Sequence, residues 1–187
     1  MAVKVYIDQG HNPRNPNAGA EGNGLREQDL VYEIGVRTAA LLRSAGVEAR
    51  LSRPAPETQL GSSNASSLAA RVNDANAWGA DYFVSLHANA SEISAASGSE
   101  AFVYARESRA FTLAENILTE LNRSTGLENR GVSVRTNLYV LRRTRMPAVL
   151  VELGFITNSG DAALMADSPE LFAEGVANGV LAYLGLL

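Results

Sequence analysis

Short apolar runs rich in Val, Tyr and Phe alternate along this chain with longer segments of helical spacing. No other feature restricts the fold as much. The runs lie at 3–7 (VKVYI), 47–51 (VEARL), 82–86 (YFVSL), 100–104 (EAFVY), 138–141 (LYVL) and 147–153 (PAVLVEL), and their composition suits strands. Residues 28–45 place Leu30, Ile34, Leu41 and Ala45 at helical steps, with Gly46 as a stop. Residues 66–78 carry Leu68, Val72, Ala75 and Trp78 behind Ser66 or Ser67 as an N-cap and close at Gly79. Residues 108–122 offer Phe111, Ala114, Ile117, Leu118 and Leu121, and a last helix starts from Ser168 as N-cap and Pro169 at its first position. Strands alternating with helices of this length require crossover connections. The expectation is therefore an α/β fold, with a mostly parallel twisted sheet of about six strands and helices on both faces. No repeat or linker divides the chain, so 1–187 is expected to be a single domain.

Composition narrows the chemistry. There is no cysteine, so any metal must be held by His, Asp or Glu. A net charge of −4 argues against nucleic acid as the main partner. No apolar run approaches the ~18 residues that would cross a bilayer, so no membrane insertion is expected, and a monomer is the expected state. The N-terminal stretch MAVKVYIDQGH lacks a signal-peptide core. The chain as given is therefore not expected to be a secretory precursor, which fits a mature catalytic segment or a protein that reaches its target by lysis. The Arg cluster LRRTR at 141–145 reads either as solvated surface or as a groove for an anionic substrate.

Only two histidines occur, His11 and His87, and each follows an apolar run at the point where it gives way to small and polar residues. In open α/β sheets ligands bind beyond the carboxyl ends of strands, so parallel neighbours would present both imidazoles at one edge. Two imidazoles, a carboxylate and an open fourth position make a hydrolytic zinc site. Glu21 and Glu27 are the nearest carboxylates after His11. Glu27 stands where a long loop enters the helix at 28–45, where a capping role is equally natural. Glu152 interrupts the apolar run PAVLVELGF. An unpaired buried carboxylate is costly, so it is expected to protrude where Gly154 ends the strand, or to face a cation or a catalytic water. A metal that acidifies water and polarises a carbonyl, with Glu152 carrying the proton, completes a hydrolytic set.

Four blocks carry a family likeness: VYIDQGH, GAEGNGLREQDL, SLAARVNDANAWGADYFVSLHAN and LYVLRRTRMPAVLVELGFITNSGD. In this order, along essentially the whole chain, they resemble the zinc-dependent N-acetylmuramoyl-L-alanine amidases (the Amidase_3 family). The resemblance implies one zinc held by His11, Glu27 and His87, with Glu152 as the catalytic carboxylate. It also implies bacterial peptidoglycan as partner, with cleavage of the amide between N-acetylmuramic acid and the L-alanine of the stem peptide, at the cell wall. The chain departs from the family after the first histidine, where HNPRNPNAG replaces the frequent Gly-Gly-x-Asp. Asn89 and Arg142 are expected to contact substrate, and Asp8 or Ser85 to orient a histidine. The alternatives are a zinc peptidase cutting within the stem, or a wall-binding module without catalysis.

Overall fold

The computed structural model describes residues 2–187. Six strands form one sheet: β1 (Lys4–Gln9), β4 (Glu48–Leu51), β5 (Tyr82–Asn89), β6 (Ser99–Val103), β7 (Asn129–Val134) and β8 (Ala148–Phe155). Their order is β4-β1-β5-β8-β6-β7. Every neighbouring pair is parallel except β6 against β8. A two-stranded hairpin, β2 (Glu21–Gly22) and β3 (Leu25–Arg26), lies inside the long loop after β1. The helices are α1 (Glu27–Ser44), α2 (Asn64–Trp78), α3 (Arg109–Thr125), α4 (Tyr139–Arg143), α5 (Ser159–Asp167) and α6 (Pro169–Leu184). The expected single α/β domain with helices on both faces is what the chain adopts, and no helix of the described residues is long and apolar enough to cross a membrane.

Strand alternation decides which face does what. On one face, Val5, Ile7, Val84, Leu86, Val149, Val151 and Leu153 join α1, α3 and α6 in the main core. On the other face, Tyr6, Phe83, Ala148 and Leu150 pack with Val72 of α2 and with Val140 and Leu141 of α4. Along that second face the strands turn polar towards their carboxyl ends: Tyr6 gives way to Asp8, Phe83 to Ser85 and His87, and Leu150 to Glu152. The apolar half is roofed by helices, and the polar half is left for chemistry.

Several local expectations change. The run 138–141 is not a strand; Tyr139–Arg143 is a single helical turn and a half, burying only Val140 and Leu141. The edge strand β7, the hairpin β2–β3 and the helix α5 have no counterpart among the expected elements. The cap of α2 is Ser63, which forms a capping box with Ser66 three residues on. Ser168 precedes α6 as expected, yet its side chain makes no capping bond. Gly154 does not end its strand, since β8 continues to Phe155.

Candidate active site

Both histidines leave the sheet at the same edge. β1 and β5 pair in parallel with Gln9 opposite Leu86, so the residues that follow, His11 and His87, emerge side by side with ring centroids 4.9 Å apart. The approach requires glycine: a Cβ on Gly10 would lie 2.6 Å from His87 Cε1. His11 itself has a φ of 66°, the left-handed region that a non-glycine residue occupies only when its surroundings hold it there. Arg71 supplies that hold. Its guanidinium, 1% exposed, donates to the carbonyls of Gln9 and His11 and pairs with the equally buried Asp8 at 2.6 Å. Asn12 fixes the loop beyond, donating to Pro16 O and Leu60 O and accepting from Leu60 N.

The first residue of α1, Glu27, joins the two rings. Its Oε1 lies 3.0 Å from His11 Nε2 and 3.0 Å from His87 Nδ1. The carboxylate is gripped from behind by Ala88 N on Oε1 and Ala20 N on Oε2. A Cβ on Gly19 would lie 2.8 Å from Glu27 Oε2. Glu27 therefore serves neighbouring segments rather than capping its own helix, while Glu21 stays exposed in β2, paired in register with Arg26. The three side chains bring their ligand atoms within 4.8 Å of one another.

The electrostatics match a place for a cation. Burial works against the charged form of Glu27, but hydrogen bonds and charge from both histidines outweigh it and hold the carboxyl well below the usual range. Burial likewise works against protonated His87, yet Glu27 raises its pKa. The far nitrogen of His87 faces Ser85 Oγ at 3.1 Å, and that hydroxyl donates to Asp8 Oδ2 at 2.7 Å. Because the Ser85 proton goes to Asp8, Ser85 must accept from Nε2–H, which leaves the Nδ1 lone pair aimed at Glu27 and the shared space. His11 Nδ1 is buried without a partner.

On β8, Glu152 lies directly opposite His87 on one side and opposite Glu100 of β6 on the other. Its Oε2 is buried with no hydrogen-bond partner. Burial pushes its pKa up to about 7; nearby His87 opposes the rise, and Glu27 and Glu100 add to it. A carboxyl poised there can both take and return a proton near neutrality.

The two expected substrate contacts are placed differently. Asn89 donates to Glu100 Oε1 at 2.6 Å and accepts from Ala90 N, so it positions the acid beside Glu152. Arg142 does not line the histidine cleft. With 138–141 wound into a helix, it is Leu138, Tyr139 and Val140 that line that pocket of about 140 Å³, together with Leu68 and Leu150, while Arg142 opens into a separate groove. Glu100 had no signal in the sequence; only the antiparallel pairing of β6 brings it opposite Glu152.

Comparison with known proteins places this geometry. The family model described as N-acetylmuramoyl-L-alanine amidase matches residues 5–182. The chain is 36% identical over 183 residues to the amidase CwlM of Bacillus licheniformis, covering 95% of this chain and 67% of that protein. It is 34% identical to the amidase LytC of Bacillus subtilis (strain 168), covering 96% of this chain but 35% of the relative. It thus spans about two thirds of the first and about a third of the second. The catalytic domain of CwlV, an N-acetylmuramoyl-L-alanine amidase from Bacillus (Paenibacillus) polymyxa var. colistinus, superposes with a TM-score of 0.85 at 31% identity, covering 99% of both chains. A match over nearly every residue, in sequence and in fold, leads to one assignment: the chain belongs to the N-acetylmuramoyl-L-alanine amidase family.

Proposed function

We propose that this chain hydrolyses the amide between N-acetylmuramic acid and the L-alanine of the stem peptide in bacterial peptidoglycan, with one zinc ion held by His11, Glu27 and His87. The observation that carries the reading is the convergence of two imidazole nitrogens and one carboxylate oxygen beside a carboxyl whose buried oxygen has no partner. The donor set fits the metal: two nitrogens and one oxygen are the ligands of hydrolytic zinc, and three protein ligands leave a position open. When bound, zinc polarises the amide carbonyl and acidifies water, which favours attack near neutral pH.

The remaining work falls to the chain's own residues. Glu152 takes the proton from the attacking water and returns it to the amide nitrogen as the carbon–nitrogen bond breaks, so the amine leaves neutral. Burial, reinforced by the charges of Glu27 and Glu100, keeps that carboxyl basic enough to accept a proton and close enough to neutrality to give it back. Ser85 and Asp8 fix the tautomer of His87, and Arg71 fixes the backbone that carries His11. Leu68, Leu138, Val140 and Leu150 form an apolar wall on one side of the cleft; it limits competing water and favours the uncharged lactyl and alanyl portions of the substrate.

A metal titration tests the reading. The chain, stripped with chelator, is expected to take up one Zn²⁺ per molecule. Glu27→Gln should weaken uptake by roughly 100-fold, since it removes the only charged ligand. Equal zinc affinity in the two proteins would remove Glu27 from the ligand set.

A further inference from the structure

The arginines of 142–145 do not line the histidine pocket, and folding gives them different company. Arg142 and Arg145 line a shallow groove of about 510 Å³ together with Arg109, the first residue of α3, and with Tyr104, Met146 and Pro147. No Asp or Glu lines it. Among the described residues none of the three guanidiniums forms an ion pair with a carboxylate. Arg106 and Arg143 stand beside them, also exposed, with Glu107 next to Arg106 as the one neighbouring acid on that loop. In a chain whose net charge is −4, this is a marked local segregation of positive charge.

Two further observations separate the groove from ordinary solvated surface. Arg109 occupies the first position of α3, where the helix dipole disfavours a cation, and no acid offsets it in the first turn. What holds it there is Tyr82: the guanidinium donates to the Tyr82 hydroxyl and lies over that ring, 5.2 Å from its centroid, so the cation is presented in a fixed place. The segment that presents the other two arginines is also tied down. Arg145 N donates to Asn76 Oδ1 at 2.9 Å, Asn76 Nδ2 donates to Arg143 O at 3.2 Å, and Thr144 Oγ1 donates to Val140 O at 2.8 Å. A fixed backbone carrying unpaired guanidiniums lowers the ordering cost of binding an anion.

We propose that this groove is a second polymer site that holds a phosphodiester polyanion of the cell wall; the choice of the wall as its source rests on the peptidoglycan reading above. Phosphate is favoured because every cation in the groove is Arg, whose planar fork engages phosphate oxygens bidentately. Nucleic acid is disfavoured because only Tyr104 offers a stacking face, and the rest of the acidic chain repels a long polynucleotide. The groove meets β8 at Ala148, roughly 13 Å along the strand from Glu152 at about 3.3 Å per residue. A polymer seated there leaves the cleft free and raises the effective concentration of enzyme at its insoluble substrate.

The test uses metal-free protein and soluble poly(glycerol phosphate), so that binding is read independently of hydrolysis. Wild type is expected to bind with an affinity that falls steeply between 50 and 200 mM salt. The triple variant Arg109→Ser, Arg142→Ser, Arg145→Ser should bind roughly tenfold or more weakly. Removing the same charge elsewhere (Arg14→Ser, Arg37→Ser, Arg123→Ser) should cost much less. On zinc-loaded protein, the groove variant should cleave soluble muropeptides as wild type does and release less product from intact walls. Equal weakening by both triple variants, unchanged binding by the groove variant, or equally tight wild-type binding to DNA of the same charge would each overturn the proposal. Because the binding arms need no turnover, they decide it even if the amidase reading fails.

Discussion

Glu152→Gln is expected to lower turnover by about 10³-fold while leaving zinc bound, and to make the metal-free protein more stable above neutral pH. The loss of rate is that of a general acid–base group. The gain in stability follows from the raised pKa. Between the ordinary carboxyl value of 4.5 and about 7, the folded protein holds a proton that the unfolded chain has released, so stability falls as pH rises across that window. Above it, ionised Glu152 costs the fold up to about 3 kcal/mol, at ~1.4 kcal/mol per pK unit. Gln removes that slope. Thermal melts in chelator should show the variant several degrees higher at pH 8 and no different at pH 4. Bound zinc, which favours the ionised carboxylate, should shrink the difference. Parallel pH–stability curves would mean that Glu152 is not strained in the fold. A variant that keeps zinc and full activity would remove it from the chemistry.

Arg71→Met is the most damaging substitution expected away from the cleft's own ligands. Arg71 and Asp8 are each 1% exposed and 2.6 Å apart; losing one partner leaves a buried charge uncompensated, at about 3–5 kcal/mol. The backbone carbonyls of Gln9 and His11 lose their donors in the same step, so the left-handed His11 loosens and zinc affinity drops as well. The sign of the pH dependence separates the two contributions. Arg71 and Ser85 outweigh the burial of Asp8 and hold its carboxyl below the usual range. Its stabilisation is therefore complete above the ordinary carboxyl pKa and is lost as pH falls through the lower, folded-state value. The double variant Arg71→Met, Asp8→Asn should recover part of the stability because the stranded charge is gone. Urea unfolding that finds Arg71→Met within about 1 kcal/mol of wild type would contradict this account.

The sequence shows the long elements well and the short ones poorly, for physical reasons that differ by element. α1 and α3 follow from their apolar periodicity because burying a helix face demands it. β5 and β8 follow from apolar runs because a central parallel strand is covered on both faces. By contrast, LYVL is four residues long, a length at which strand and buried helical turn share one apolar pattern; tertiary contact with α2 and β8 decides for the helix. β7 reads NRGVSV and is largely exposed at the sheet edge, so it has no hydrophobic signal to detect. Within the site, the histidines are visible as the only imidazoles at strand ends, and Glu152 as a charge in an apolar run. Glu27 is ambiguous from position alone because a helix start suits an acid for two unrelated reasons. Glu100 is silent, since its role depends on which strand lies across from β8.

The most direct measurement of the central claim is the chemical identity of the new ends that the zinc-loaded protein generates in purified peptidoglycan. Free amino termini on L-alanine should appear in step with a free lactyl carboxyl on muramic acid, stop when chelator removes the metal, and return when zinc is restored. Amino termini at any other stem residue would reassign the chain as a stem peptidase, and the absence of any new terminus with zinc bound would contradict catalysis at this site altogether.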